Sequence, residues 1–313
     1  MAKNKVQFQK GISLGDFMEL YGTEEGCEQE LYNSRWPNGF ICPECGHEKY
    51  CRIKRGKLFQ CNACRHQSSL RAGSIFHGSK LPLRKWFLAI YLMTQSKNGV
   101  SQLELHRNIG VSVKTAALLY HKISQTMLER EEEQPLSGNI EIDDAYWGGK
   151  KKGKRGRGSE NKVPFVAAIE KIEEKPHRIK LNVIRGFTKV DIENWSRQNL
   201  RKGSKVVSDG LACFQEIENG GNTHESVIVG NSKESAKTAA LNWVNTILGN
   251  LKTSLKGTFH KLSPQHLNRH LATFVYRFNR RYKLEDMIPR FVNIALRTPP
   301  FPRKFVKMAE SCR

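Results

Sequence analysis

Two aspartates lie where strand-like segments of the sequence end. Asp143 follows the apolar run Ile140–Ile142 and is followed by Asp144, and Asp209 follows the segment 206–208. A carboxylate at the carboxyl end of a strand is a favoured place for chemistry on an open α/β sheet. If the two strands are neighbours, Asp143 and Asp209 share Mg²⁺ or Mn²⁺, and two such ions about 3.5–4 Å apart support phosphodiester displacement. The plainer alternative is that each aspartate only caps a turn.

Four cysteines form two C-x-x-C pairs. Cys42 and Cys45 make the first pair, and Cys61 and Cys64 make the second, with fifteen residues between the two pairs. Four thiolates at this spacing indicate one tetrahedral ion, most often zinc, which stabilises comparable small modules by about 10–16 kcal/mol. The alternative is four buried or disulfide-linked cysteines. The other cysteines are predicted to be small packed hydrophobes: Cys27, Cys51, Cys213 and Cys312.

The chain carries a large excess of positive charge. Its 313 residues include 52 Lys plus Arg against 30 Asp plus Glu, a formal net charge of +22. This imbalance predicts a polyanionic partner, with nucleic acid the first candidate. The longest apolar run, Trp86–Met93, is eight residues long, and a bilayer span needs about 20. The first residues also lack the apolar stretch of a signal peptide. We therefore expect no membrane partner and a cytoplasmic location.

One segment, 150–157, concentrates this positive charge. Six of its eight residues are cationic and none is acidic. Such a run is a solvated loop that neutralises phosphates without reading sequence, which gives salt-dependent affinity. The candidate DNA contacts in it are Lys150, Lys151, Lys152, Lys154, Arg155 and Arg157.

The segment 78–130 has a helical period interrupted by a glycine. Ser101 begins a capping-box pattern, Gly110 interrupts the helical period, and Ser112 is placed to cap a second helix. Helix, glycine turn and capped helix predict a helix-turn-helix. The alternative is an ordinary helix pair in a core. On the polar sides of the second helix, the candidate contacts to a DNA major groove are Lys114, Thr115, His121 and Lys122.

Changes in composition divide the rest of the chain. We predict a helical lead-in over 1–35, a cysteine-rich ribbon over 36–72, and an acidic linker at 131–138. Beyond it, 138–300 forms a mixed α/β domain and 301–313 a tail. The predicted strands are Ile140–Ile142, Phe165–Ile169, Ile179–Ile184, Val206–Val207 and Val227–Val229, and the predicted helices are Val190–Leu200, Ala236–Leu255 and Pro264–Arg281.

Several motifs occur together in a fixed order along the chain. They are CPECG and CNACR, then SSLRAGSIFHGSKLPLRKWFLAIYLM, EIDDAYWGGK, VVSDG, ILGNLKTSLKGTFH and HLATFVYRFNRRY. By these motifs the chain, from about Trp36 to Tyr282, closely resembles bacterial insertion-sequence transposases of the ISXO-two-like group, also called insertion-sequence family fifteen-ninety-five. The resemblance implies a zinc ribbon, a helical DNA-binding segment and a ribonuclease-H-like nuclease of the DDE type.

The resemblance also implies roles for individual residues. Asp143 and Asp209 take the places of the first and second catalytic aspartates, and Asn250 with Lys252 fits the branch of the family that has Asn at the third position. An Asn amide oxygen can ligate a hard cation but brings no charge, so we expect a weaker second metal site.

A later family motif has Glu followed by Arg four and seven positions on. This chain keeps the arginines, Arg277 and Arg280, but has Thr273 at the Glu position. With Lys252, these arginines are expected to contact the DNA backbone near the scissile phosphate. The alternative is that the arginines of helix 264–281 simply face solvent.

The predicted function is a DNA transposase in the bacterial cytoplasm, associated with the nucleoid. It would bind the terminal inverted repeats of its element, cleave them and join them to target DNA, with structural Zn²⁺ and catalytic Mg²⁺ or Mn²⁺. A homo-oligomer is expected because two element ends must be held together. Two alternatives remain open: a catalytically impaired or repurposed transposase that acts as a sequence-specific DNA-binding protein, and a zinc-ribbon nuclease that processes RNA.

Overall fold

The computed structural model describes residues 11–53, 55, 57–148, 162–227, 241–259 and 262–308. The chain forms two compact units, one of Met1–Thr126 with Arg280–Arg313 and one of Met127–Asn279. Among the described helices, none combines the length and the apolar character that crossing a membrane requires.

Ten α-helices and eight strands are present in the described ranges. The helices are α1 (Leu14–Tyr21), α2 (Glu24–Arg35), α3 (Leu83–Gln95), α4 (Gln102–Ile109), α5 (Val113–Glu132), α6 (Lys189–Asn199), α7 (Asn242–Thr258), α8 (Leu267–Asn279), α9 (Met287–Arg297) and α10 (Arg303–Met308). The strands are β1 (Tyr50–Ile53), β2 (Leu58–Cys61), β3 (Gln67–Ser69), β4 (Asn139–Trp147), β5 (Val163–Ile172), β6 (Lys175–Val183), β7 (Lys205–Ser208) and β8 (Thr223–Ser226).

In the first unit, the predicted glycine-separated helix pair is present as α4 and α5. The hydroxyl of Ser101 accepts a hydrogen bond from the backbone N–H of Glu104 at 3.1 Å and so caps α4. Gly110 ends α4 in the left-handed region, with φ 65° and ψ 52°, where a Cβ would be strained. Ser112 then caps α5 by accepting from the backbone N–H of Thr115 at 3.2 Å.

Helix α9 also belongs to this first unit. Its apolar side is fully buried, including Met287, Ile288 and Phe291, and it packs against α2 and α3. The backbone N–H of Ile75 donates to the carbonyl of Ala295 at 3.3 Å. Residues 280–300, which the sequence pattern placed with the α/β domain, therefore pack with the N-terminal helices.

The second unit is built on a five-stranded sheet in the order β6-β5-β4-β7-β8. Strand β5 runs antiparallel to both neighbours, whereas β4, β7 and β8 are parallel to one another. One face packs on α7 and α8, and the other packs on α6 and a 3-10 helix at Ala212–Gly220. Because both faces are covered, the centre of β5 reads as an unbroken apolar run. The predicted mixed α/β class is confirmed.

One predicted boundary changes in the structure, and two others fall largely outside the described residues. The acidic stretch after 130 is not a linker at its start, because α5 continues to Glu132 and the buried carboxylate of Glu131 accepts from Asn279 Nδ2 at 2.7 Å. The last strand, β8, ends at Ser226, and most of the predicted strand Val227–Val229 lies outside the described residues. The described helix α7 begins at Asn242, and residues 236–240 also lie outside.

Candidate metal centre and nucleic-acid surfaces

Strands β4 and β7 bring three carboxylates together. The two strands pair in parallel, with Glu141 opposite Val207, so Asp143 and Asp209 each follow two residues later. One carboxylate oxygen from each of Asp143, Asp144 and Asp209 lies within 4.8 Å of the others. All three residues are half-buried. The convergence that the sequence predicted for Asp143 and Asp209 is therefore present.

Local hydrogen bonds orient two of these carboxylates. Asp143 Oδ1 accepts from the backbone N–H of Asp144 at 2.8 Å. Asp209 Oδ1 accepts from the backbone N–H of Leu211 at 3.2 Å, an Asx turn across Gly210, whose φ is 81°. A substitution at Gly210 would be strained in that left-handed conformation, so this glycine helps to aim Asp209.

The residue before Asp209 is held from the neighbouring strand. Ser208 is fully buried, and its Oγ lies 2.8 Å from Nε2 of His224 on β8. The half-buried His224 has its pKa lowered by desolvation, which favours the neutral ring. This pair was not predicted, because Ser208 and His224 are 16 positions apart and share no sequence motif.

The donor set of the three carboxylates fits a hard divalent cation. Oxygen donors clustered this closely suit Mg²⁺ or Mn²⁺, which retain open positions for water and phosphate. Asp144 was missed as a ligand because strand alternation places neighbouring side chains on opposite faces. The signal available in the sequence was the pair of adjacent acids at a strand end.

The predicted third catalytic position lies on α7, and it is exposed whereas the three aspartates are half-buried. Asn250 and Lys252 are both exposed. Residues two apart on a helix do not face each other, so these side chains leave α7 in different directions. Asn250 follows Trp243 by seven residues and shares its side of the helix. The Trp243 indole donates to the carbonyl of Glu174, in the β5–β6 turn, at 2.8 Å.

The four predicted zinc ligands converge in the ribbon. Cys42 Sγ lies 3.5 Å from Cys64 Sγ, and Cys45 Sγ lies 3.6 Å from Cys61 Sγ. All four sulfur atoms lie within 4.8 Å of one another, a spacing that fits tetrahedral coordination of one ion.

The two cysteine pairs have matching backbone turns. The N–H of Gly46 donates to the Cys42 carbonyl at 2.9 Å, and the N–H of Arg65 donates to the Cys61 carbonyl at 3.1 Å. Burial raises the pKa of Cys61, but hydrogen bonds from the backbone of Cys64 and Ala63 outweigh it and lower the pKa to about 6. A thiolate forms readily there, as metal ligation requires.

The helix pair exposes only part of its predicted DNA contacts. Lys114 is exposed at the start of α5, and Thr115 is half-buried with its hydroxyl 2.9 Å from that of Ser112. His121 is buried, and its Nε2 lies 3.2 Å from Gln102 Nε2. Of the predicted contacts on α5, all of which the structure describes, Lys114 is the one that is both cationic and exposed.

Lys122, a predicted DNA contact, is buried in this structure. Its side chain is 9% exposed, its Nζ donates to the Ile75 carbonyl at 3.4 Å, and it lies 5.8 Å from the centre of the Trp86 ring. Burial lowers its pKa. Residues 119–124 are all buried, so α5 has no solvent face at this level.

The other predicted basic contacts are either half-buried or outside the described residues. Arg277 and Arg280 are half-buried at the end of α8 and just beyond it. Thr273 is buried, and its hydroxyl donates to the His270 carbonyl at 2.8 Å, so it provides no carboxylate there. The predicted contacts of the basic segment lie outside the described residues: Lys150, Lys151, Lys152, Lys154, Arg155 and Arg157.

Two family models match the chain in the regions of these two clusters. One, described as an ISXO2-like transposase domain, matches residues 135–279. The other, described as a transposase zinc-ribbon domain, matches residues 22–67. A protein of Halobacterium salinarum, described as an uncharacterized protein in transposable element ISH50, is 26% identical over 236 residues, which cover 69% of this chain and 78% of that protein.

A solved structure of a pre-cleavage Mos1 transpososome is also similar. The likeness has 7% identity and a TM-score of 0.21, and covers 63% of this chain and 77% of that one.

Proposed function

We propose that this chain is a DNA transposase that cleaves the terminal inverted repeats of its element and joins them to target DNA. Its two matched regions, an ISXO2-like transposase domain and a transposase zinc-ribbon domain, support this proposal. The observation that carries this proposal is the cluster of three carboxylates on two neighbouring parallel strands, with Asp143 and Asp144 within β4 and Asp209 directly after β7.

In this proposal, Asp143, Asp144 and Asp209 hold Mg²⁺ or Mn²⁺ beside the scissile phosphate. The metal, when bound, neutralises phosphate charge and lowers the pKa of an attacking hydroxyl. Asp143 and Asp209 are held in place by backbone N–H groups, so the ligand oxygens are positioned before substrate arrives. No serine or cysteine nucleophile is needed, because an activated water and then the freed 3′-hydroxyl make the attacks.

The first unit supplies DNA recognition in this proposal. Zinc held by Cys42, Cys45, Cys61 and Cys64 keeps the ribbon folded. Lys114 reaches DNA from the start of α5, and its charge contributes the salt-dependent part of the affinity. A homo-oligomer on DNA would bring two element ends to one pair of active sites.

A strand-transfer assay with the element's own duplex ends and Mg²⁺ or Mn²⁺ tests the proposal. We expect end cleavage and joining by the wild type, and loss of both with Asp143→Asn and with Asp209→Asn. Asp286→Asn is the matched control, since this half-buried aspartate lies outside the carboxylate cluster and forms an ion pair with Arg290 at 3.2 Å. Cleavage that survives either active-site change contradicts the proposal. Faster cleavage of structured RNA than of duplex ends would favour the RNA-processing alternative.

A second candidate is a DNA-binding transposase that has lost catalysis. The observation that favours it is Thr273, which places a buried hydroxyl at the family's Glu position. Specific binding of the element ends, combined with no Mn²⁺ binding that depends on Asp143, would support this candidate over the enzyme.

A further inference from the structure

A buried carboxylate on β4 caps the start of α7. Glu141 is 0% exposed, and its Oε2 accepts from the backbone N–H groups of Trp243 and Val244, both at 3.0 Å. N–H groups in the first turn of a helix have no partner within the helix. Leu241, which precedes α7, offers no side-chain cap. Glu141, a strand residue, therefore caps α7, whereas most helices are capped by a Ser or Asp that directly precedes them.

The charge of Glu141 is matched within the same region. Lys171 Nζ lies 3.5 Å from Glu141 Oε1 and 2.9 Å from Glu174 Oε2. A buried carboxylate without such partners is strongly unfavourable. Trp243 joins both ends of this group, because its backbone N–H bonds to Glu141 and its indole N–H bonds to the carbonyl of Glu174. We call Glu141, Lys171, Glu174 and Trp243 the α7 anchor.

The two bonds of Trp243 constrain different movements of the helix. The backbone bond fixes where α7 starts along β4. The indole bond, at 2.8 Å to the β5–β6 turn, resists rotation of α7 about its axis. A local cap would stabilise the helix equally well but would leave its place on the sheet to apolar packing alone.

The anchor lies directly beside the three carboxylates. Glu141 precedes Asp143 by two residues, so both side chains leave β4 on the same face. From this start, α7 packs along that face, with Leu248 and Leu251 in the same core as Ala145. Displacements of about 1 Å in a catalytic arrangement can cost about a hundredfold in rate.

We propose that Glu141 is a positioning residue of the transposition reaction, which sets α7 against β4 through the α7 anchor. This inference rests on the proposed function. In it, Glu141 touches neither metal nor DNA, and it acts by placing the α7 residues Asn250 and Lys252 relative to Asp143.

The main test compares Glu141→Gln with Glu170→Gln. Glu170 is also buried, at 5% exposed, but it lies on β5 and accepts from the backbone N–H of Ser137 at 2.8 Å. For Glu141→Gln we expect single-turnover end cleavage to fall by about tenfold or more, with Mn²⁺ affinity and DNA affinity unchanged. Hydrogen exchange at the amides of Trp243 and Val244 should become faster. Glu170→Gln should leave all four measurements near the wild type.

A second variant separates positioning from general loss of stability. Trp243→Phe keeps the backbone bond and most of the ring packing but removes the indole bond, and we expect a smaller fall in cleavage with the same unchanged affinities. Wild-type cleavage by Glu141→Gln overturns the inference, and so does a parallel loss of metal binding, DNA binding and cleavage. If the wild type itself does not cleave, the proposed function fails. Hydrogen exchange would still test the α7 anchor in that case. Unchanged exchange at the amides of Trp243 and Val244 in Glu141→Gln would refute it.

Discussion

Asp143 and Asp209 occupy equivalent positions in the register of two parallel strands, Asp143 within β4 and Asp209 directly after β7. Each lies two residues beyond the paired positions Glu141 and Val207, although 66 positions separate them in the sequence. Parallel register, rather than any loop, sets their proximity. Because a register slip by one residue would turn one carboxylate to the opposite face, the metal centre depends on the pairing of β4 with β7.

Asp144→Asn should weaken the metal centre. Removing one of three carboxylates lowers the charge offered to the cation, and we expect Mn²⁺ affinity to fall by about tenfold. The measurement is Mn²⁺ titration by electron paramagnetic resonance, with Asp209→Asn as the positive control. Affinity equal to that of the wild type would show that Asp144 is not a ligand.

Removal of zinc should unfold the ribbon. Because the β1–β3 sheet has only short strands, most of its stability is expected to come from the ion. Cys61→Ser, or a strong chelator, should release one zinc per chain and abolish specific DNA binding. Metal analysis with circular dichroism measures this, and Cys51→Ser is the control, because Cys51 is exposed on β1 outside the cluster. Retained folding after zinc loss would contradict the expectation.

Lys114 and Lys122 should respond differently to substitution. Lys114→Ala is expected to weaken DNA binding at all sequences and to reduce the slope of log K against log salt by about 1. Lys122→Met should leave that slope unchanged, because this amine already faces the Ile75 carbonyl. Fluorescence anisotropy over a salt series distinguishes the two variants. An equal effect of both would mean that Lys122 reaches DNA.

The stability of the protein should depend on pH through Lys180. Burial lowers the pKa of this lysine from 10.5 to about 8, and its Nζ donates to Asn199 Oδ1 at 2.9 Å. Between these two values the unfolded chain binds more protons than the folded one, so stability rises with pH across this window. Below pH 8 the folded protein carries the buried charge, so the full free-energy cost of burying it lowers the stability.

Lys180→Met removes that cost. Its stability advantage over the wild type should be about 3 kcal/mol at pH 7 and should shrink as the pH approaches 10.5. Urea unfolding of both proteins from pH 7 to pH 10 measures the difference. A constant difference across the range would contradict the assigned pKa.

Phe291→Ala should destabilise the first unit. This ring is fully buried on α9, and such truncations cost about 3–5 kcal/mol. We expect a lower melting temperature and weaker DNA binding. Phe305→Ala, at a ring that is 41% exposed, is the control and should have little effect on either measurement.

The clusters that could be predicted from the sequence are those with local signals. The ribbon ligands follow from the spacing of Cys42 and Cys45 and its repeat, and Asp143 and Asp209 each end an apolar segment. The caps at Ser101 and Ser112 were also visible, because a cap bonds to residues two or three positions away.

The features that escaped prediction depend on distant elements. Periodicity gave Lys122 a polar side of α5 but could not show that neighbouring helices cover that side. Asp144 was not predicted as a ligand, yet one of its carboxylate oxygens lies within 4.8 Å of one from Asp143. Glu141 looked like an ordinary strand residue, since its partners on α7 lie 102 and 103 positions away.

The return of α9 to the N-terminal helices has a consequence for biosynthesis. Ribosomes release the N-terminus first, at about 5–20 residues per second. Helices α2 and α3 would then have part of their apolar surface uncovered until residues 287–297 emerge. A chain that is cut short before residue 287 would thus lack the helix that covers α2 and α3, even with all three clustered aspartates intact.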